Sequence, residues 1–212
     1  MVRKAIIFDL YGTLIYGGLG ASAEKLSKVL DVPIEKWNTQ KKSLLLIKET
    51  GNLEDSVKVV CNYLKIKDKK KINALLQYIT KDIDGARPYI GTLLALEILK
   101  DRYKLAVLSN ISTPYKTPFD RLDLRKYFST IFFSCERGIL KPQKEAFLTV
   151  IKELGVLPEE ALMVGDDYNN DYQGALGAGL DARWIDRGEH KYGKLTFLKD
   201  VKKINSFREL LI

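Results

Sequence analysis

The sequence predicts an α/β fold: a parallel sheet with helices on both faces, carrying a small all-helical insert directly after the first strand. Three observations lead there. Short apolar runs alternate with helix-like stretches through the second half of the 212-residue chain, as a parallel sheet with crossover helices requires. From Ala21 to about Ile83 that alternation stops, and apolar residues recur every three or four positions with no strand-like run. Finally, four predicted strands end in polar groups: Asp9, Ser109-Asn110, the loop from Ser134 to Lys141, and Asp166. In such sheets ligands bind beyond the carboxyl ends of the strands, so these groups are expected to converge.

In chain order, "VRKAIIF" (2–8) is an apolar, β-branched run ending at Asp9 and a Gly-Thr turn, which reads as strand then loop. Four helices follow in "SAEKLSKVLDV", "PIEKWNTQKKSLLLIKET", "NLEDSVKVVCNYLKI" and "KKINALLQYITKDI". Ala21 or Ser22, Pro33, Asn52 and Asp68 are suitable starts, and Gly51 a suitable stop. "YGG" and "LG" near 16–20 and "GARPYIG" (85–91) mark hinges on either side of this block. Next come the helix "TLLALEILKD", the strand "KLAVLSN", a short helix in "PYKTPFDRLDL", the strand "TIFFS" and the helix "KEAFLTVIKELG". The strand "ALMVGDD", the helix "NDYQGALGAG", the strand "ARWID" and the segments "VKKI" and "FRELLI" close the chain. The division is a core of residues 1–15 and 86–212, with a helical cap at 16–85.

Composition narrows the function classes. The chain carries 35 lysines and arginines against 27 acids, a net charge of +8. The basic residues are scattered among acids without interleaved aromatics, so nucleic acid is not an expected partner. "KIKDKKK" (65–71) reads as a solvated link between helices. No apolar run reaches membrane-spanning length, and "MVRKAIIFD" reads as a first strand rather than a signal peptide. Cys61 and Cys135 lack metal-ligand spacing and fit reduced thiols of a cytoplasmic protein. The single histidine, His190, lies in a polar loop, which disfavours serine-histidine or two-histidine zinc chemistry.

"DLYGTL" (9–14), "LSN" (108–110), "KP" (141–142) and "GDDYNND" (165–171) occur in this order at predicted strand ends. Together they resemble the haloacid dehalogenase-like hydrolases, over nearly the whole chain. The insert after the first motif resembles that family's C1 cap. The resemblance implies a Rossmann-like core and a set of roles. Asp9 would be the nucleophile, forming an aspartyl-phosphate that water breaks. Mg²⁺ would be held by Asp9, Asp166 and the backbone carbonyl of Tyr11. Asp171 would either reach the metal through water or hold Lys141, with Asp167 a further ligand or a helix cap. Lys141 would steady nucleophile and phosphate. Ser109, with Asn110 or its backbone N–H, would grip a phosphate oxygen, and Thr13 would help order the loop.

Tyr11 departs from the phosphatase pattern. Family phosphatases carry an aspartate at that position as general acid and base. A phenol titrates near pH ~10, and losing such a group costs about 10²–10⁴-fold. "DLYGT" matches the L-2-haloacid dehalogenase form, in which halide leaves without a proton. Against that stand the lack of any arginine between Arg3 and Arg87, where the dehalogenases use one to hold halide or carboxylate, and the retention of Asp166. The expected function is therefore a Mg²⁺-dependent phosphatase acting on a small phosphorylated metabolite, either selective for good leaving groups or slow. A 2-haloacid dehalogenase and a binding or regulatory protein of this fold with weak or no turnover are the alternatives. The expected partner is a small phosphate ester or other small acid, with oligomeric state left open. Tyr16 and Trp37 are cap residues that could face it.

Overall fold

Alternation along the first strand sets up the whole molecule. In β1 (Ala5–Phe8) every residue is buried, and successive side chains point to opposite faces. Ile6 and Phe8 enter one apolar cluster, Ala5 and Ile7 another. A strand buried on both faces belongs in the middle of a sheet. The computed structural model, which describes residues 2–17, 23–33, 35, 42–186 and 201–211, places it there. Its strands are β2 (Ile15–Tyr16), β3 (Arg87–Pro88), β4 (Lys104–Ser109), β5 (Thr130–Phe133), β6 (Ala161–Gly165), β7 (Asp181–Ile185) and β8 (Lys203–Ile204). The main sheet has six strands in the order β5-β4-β1-β6-β7-β8, every pairing parallel. The α/β fold with a Rossmann-like parallel sheet is thus as the sequence predicts.

The two faces are covered by different helices. On one, Ala95, Leu96 and Leu99 of a helix at Thr92–Leu99 pack with Phe8, Val107, Val164 and Phe119. On the other, Ala146, Phe147, Val150, Ile151 and Leu154 of the helix Lys144–Leu154 pack against Ile7, Ala106, Leu108 and Met163. These helices, with Thr117–Arg121 and Gly174–Gly177, follow the alternation read from the sequence. The segment 168–173 winds as a π-helical turn before the Gly174–Gly177 helix, and Ser134–Arg137 is a short helix the periodicity does not disclose.

Between β2 and β3 the described helices are α1 (Ala23–Leu30), α2 (Leu53–Leu64) and α3 (Lys69–Asp84), with a π-helical turn at Lys42–Leu46. Asn52 and Asp68 cap their helices as expected, each side chain accepting from a backbone amide at 2.9 and 2.8 Å. Leu26, Leu30, Val57, Val60, Cys61, Leu75, Ile79 and Ile83 make a third apolar cluster of their own. The segment 65–71, a four-residue link and the first turn of α3, is mostly exposed. Of the predicted helix over 33–50, the described part from residue 42 on holds only the π-helical turn at Lys42–Leu46, and residues 47–50 are not helical. Trp37, His190 and the glycines at 18–20 lie outside the described residues. At the two expected hinges the chain forms β2 and β3, an antiparallel pair matching Ile15 to Pro88 and Tyr16 to Arg87. No described helix is long and apolar enough to cross a membrane. Cys61 and Cys135 are buried free thiols.

Gly174 shows how tightly the second face is packed. Its backbone is helical (φ −58), so alanine there is conformationally acceptable. A Cβ would however stand 2.9 Å from the Phe147 ring and 3.0 Å from Pro142 Cβ. Gly174→Ala is expected to destabilise the protein by about 1–2 kcal/mol, the overpacking cost exceeding the gain in helix propensity. Urea denaturation of both proteins checks this.

Candidate active site

Register decides which residues meet. Phe8 lies opposite Val107 on β4 and Val164 on β6. Asp9 comes one residue beyond that line, and Ser109 and Asp166 two residues beyond it on the flanking strands. Asp9 stays anchored, its amide donating to the Val164 carbonyl at 2.9 Å. The central strand and both neighbours thus deliver their polar ends to one place.

Lys141 enters from the loop after Ser134–Arg137. Its buried ammonium lies 2.6 Å from Asp9 Oδ1 and 2.6 Å from Asp171 Oδ1. Asn110 clamps the lysine's backbone: its Nδ2 donates to the Lys141 carbonyl at 2.8 Å, and the Lys141 amide donates to its Oδ1 at 2.8 Å. Both ends of the Asn110 side-chain amide are committed to holding Lys141. Any grip of Asn110 on a phosphate would fall to its backbone N–H. Ser109 is buried at the end of β4.

Asp171 is fixed on its other oxygen, where Oδ2 accepts from the Asp167 amide at 2.9 Å. The Asp167 carboxylate instead caps the following turn, accepting from the amides of Asn169 and Asn170 at 3.0 and 2.9 Å. Carboxylate oxygens of Asp9, Asp166 and Asp171 all lie within 4.8 Å of one another. Thr13, fully buried, places Oγ1 3.4 Å from Asp166 Oδ1. Trp184 on β7 donates Nε1–H to the Asp166 carbonyl at 2.8 Å and so pins the strand end. Tyr11 behaves differently: its hydroxyl donates to the carbonyl of Tyr115 at 3.2 Å.

Charge is unbalanced here. Three carboxylates gather around one ammonium in a largely buried cluster. Burial opposes the Lys141 charge, but Asp171 and Asp9 more than offset it and hold the ammonium above the usual lysine range. Burial pushes the Asp171 carboxyl up to about 8, Lys141 opposing while Asp9 and Asp166 add to the push. A divalent cation fits this set. It would supply the missing charge, and its preferred ligands are oxygens. The donors also span little more than the ~4.2 Å separating opposite ligands on a magnesium ion.

Two glycines make room for the acids. Gly12 has φ +86, and a Cβ there would sit on the Asp166 carboxylate. A Cβ on Gly165 would likewise overlap the Asp171 carboxylate. The sequence marks Gly12 as a turn glycine, but its clearance of Asp166 is visible only in three dimensions. Gly165 goes unnoticed in the sequence, although a glycine closing the strand "ALMVG" was the available signal.

A family model described as haloacid dehalogenase-like hydrolase matches residues 3–179. A glyceraldehyde 3-phosphate phosphatase of Methanothermobacter thermautotrophicus is 30% identical over 189 residues, covering 84% of either chain. Among solved structures, a HAD phosphatase from Thermococcus onnurineus is 27% identical with a TM-score of 0.63, covering 98% of this chain and 96% of its own. A 2-haloacid dehalogenase from Pseudomonas syringae pv. tomato shares the fold with a TM-score of 0.68 at 21% identity, covering 99% and 96%.

The cluster generates two expectations. Gly12→Ala should weaken Mg²⁺ binding by at least about tenfold, since the new Cβ both strains a left-handed residue and displaces Asp166; calorimetric titration measures it. The second concerns pH. With its raised pKa, Asp171 keeps in the folded state a proton that the unfolded chain has shed. That contribution to stability is full at acid pH and is lost as pH rises from the ordinary carboxylate range through about 8. Urea midpoints in chelator should show this fall, and saturating Mg²⁺ should flatten it.

Proposed function

The chain belongs to the haloacid dehalogenase-like hydrolases, and on that premise we propose that it is a Mg²⁺-dependent phosphatase of a small phosphorylated compound, working through an aspartyl-phosphate on Asp9. One observation carries the choice. Asp166 adds a third carboxylate within 4.8 Å of Asp9 and Asp171, a charge that repels an anionic substrate unless a cation joins it. A metal-free displacement of halide gains nothing from that residue.

Bound Mg²⁺ would neutralise the carboxylates and the phosphoryl oxygens, with Asp9, Asp166 and the Tyr11 carbonyl as its holders and Asp171 reaching it through water or holding Lys141. Asp9 attacks phosphorus with one carboxylate oxygen. The P–O bond to the leaving group breaks, and that oxygen departs with the electron pair. Lys141, held charged between Asp9 and Asp171, orients the nucleophile and stabilises charge on the transferring group. Ser109 and the Asn110 N–H bind a phosphoryl oxygen, and Thr13 steadies Asp166. Water then attacks the aspartyl-phosphate, releasing phosphate and restoring Asp9. Residues 16–85 serve as the cap that selects the substrate. The phosphatase relative supports the same reading, its name pointing to phosphorylated three-carbon metabolites as a substrate class to test first.

Dehalogenation remains the second reading because of "DLYGT" (9–13). Phosphate release is expected to vanish in chelator, in Asp9→Asn and in Asp166→Asn, while halide release from a 2-haloacid is absent throughout; halide release persisting in chelator would establish the dehalogenase instead. With no carboxylic acid at position 11, an alkoxide leaves unprotonated. An aryl phosphate should therefore turn over at least about 100-fold faster than a matched alkyl phosphate, read as kcat/KM.

A further inference from the structure

Tyr11 turns its hydroxyl toward the helical insert. The Tyr115 carbonyl accepts from it at 3.2 Å, and the two rings meet edge to face with centroids 5.6 Å apart. The Tyr115 hydroxyl in turn donates to Asp82 Oδ2 at 3.0 Å. Asp82, 1% exposed, lies in the last turn of α3. It also presses on the entry to the insert: a Cβ on Gly17 would stand 2.6 Å from Asp82 Oδ1.

The segment Thr113–Lys116 is where the insert and the core are joined. It starts three residues after Asn110. The Thr50 amide donates to Thr113 Oγ1 at 3.1 Å, and Lys116 Nζ reaches Glu49 at 2.7 Å and Glu136 at 2.6 Å. Tyr115 packs against the apolar clusters of both core and insert. Next to it, Arg121 donates to the carbonyls of Ile83 and Ala86 at 3.0 and 3.1 Å, gripping the end of α3 where the chain returns to the core. The nucleophile loop thus touches this segment through Tyr11, and the insert touches it through Thr50, Glu49 and Asp82.

We infer that Tyr11, Tyr115 and Asp82 form a latch between the nucleophile loop and the helical insert, with Tyr11 a positioning residue whose proton is committed to the Tyr115 carbonyl and withheld from the leaving group. This rests on the phosphatase reading, and it gives the residue in place of the usual acid a task of its own. Burial, reinforced by Asp82 and opposed by Arg121, holds the Tyr11 hydroxyl above the ordinary phenol range, in keeping with a proton that stays put. On α3, Tyr78 sits one turn before Asp82, on the same face. Among the described residues its buried hydroxyl has no hydrogen-bond partner.

The test compares Tyr11→Phe, Tyr115→Phe, Asp82→Asn and the Tyr115→Phe/Asp82→Asn double variant, with p-nitrophenyl phosphate, a matched alkyl phosphate and Mg²⁺. Tyr115→Phe removes a single oxygen, so it folds even if the buried Asp82 tolerates change poorly. Tyr115→Phe and Asp82→Asn should each lower kcat on the aryl ester about tenfold, the size of one lost hydrogen bond to a charged group, and Tyr11→Phe, which loses one to a neutral carbonyl, about threefold to tenfold, all with KM moved less than about twofold. The double variant should fall no further than either single one, because both break the same contact. Tyr11→Phe should leave the alkyl-to-aryl ratio unchanged. Independently of activity and metal, amide hydrogen exchange at Ala86 and Tyr89 should quicken about tenfold in Tyr115→Phe. A larger loss on the alkyl ester than on the aryl ester in Tyr11→Phe would make Tyr11 the proton donor and overturn the latch. Unchanged exchange in Tyr115→Phe would overturn it as well. A wild-type protein that releases phosphate from no ester would defeat the phosphatase reading, and the exchange measurement would then decide the latch alone.

Discussion

The buried ammonium of Lys141 is the constraint around which the rest is built. A charge taken out of water costs several kcal/mol unless it is paired and hydrogen-bonded. Here it is paired twice, with Asp9 from the central strand and Asp171 from the turn after β6. Those two carboxylates cannot approach the same point unless β1 and β6 are adjacent and in register, which they are. Asn110, from the strand on the other side of β1, holds the lysine's peptide. Three neighbouring strand ends are thus tied to one cation. Carboxylate oxygens of Asp9, Asp166 and Asp171 gather beside it within 4.8 Å of one another.

Much of this was legible in the sequence, because it is written in residue order. Strand, turn and helix periods located β1, β4, β5, β6 and β7 and the helices between them, and polar residues at strand ends named the acids and the lysine. Asn52 and Asp68 revealed their own helix starts. What stayed hidden depends on distance across the sheet. "LSN" does not say that Asn110 spends its side chain on Lys141. The glycine in "VGDD" does not say that Asp171 folds back onto it. The short pair β2 and β3 joins residues more than seventy positions apart, and no local pattern carries such a pairing. Asp82 looks like one more acid of an amphipathic helix until its burial is known.

The fold alone does not choose between the family's chemistries. A 2-haloacid dehalogenase and a phosphatase superpose on this chain about equally well, as expected when activity resides in a handful of side chains on a shared scaffold. Discrimination comes from charge. A site designed to displace halide from an anionic acid has no use for a net excess of carboxylates, whereas phosphoryl transfer with a metal requires it. Position 11 and position 166 therefore point in different directions within one motif set. The position 11 side chain turns to the carbonyl of Tyr115, in the junction with the insert.

That arrangement also shapes how the protein can change over generations. Position 11 in this chain is bound up with a tyrosine more than a hundred residues later and, through it, with an acid on the insert. An aspartate arriving at position 11 by chance would lose the carbonyl of Tyr115 and meet the field of Asp82, a like charge that already bears on the phenol it replaces. A lineage exploring that substitution would first pass through a chain with a loosened junction and an added acid. Substitutions at 82 or 115 would have to come with it, or before it. Three positions scattered along the sequence are in this way tied by two hydrogen bonds, so a change at any one of them is felt at the other two.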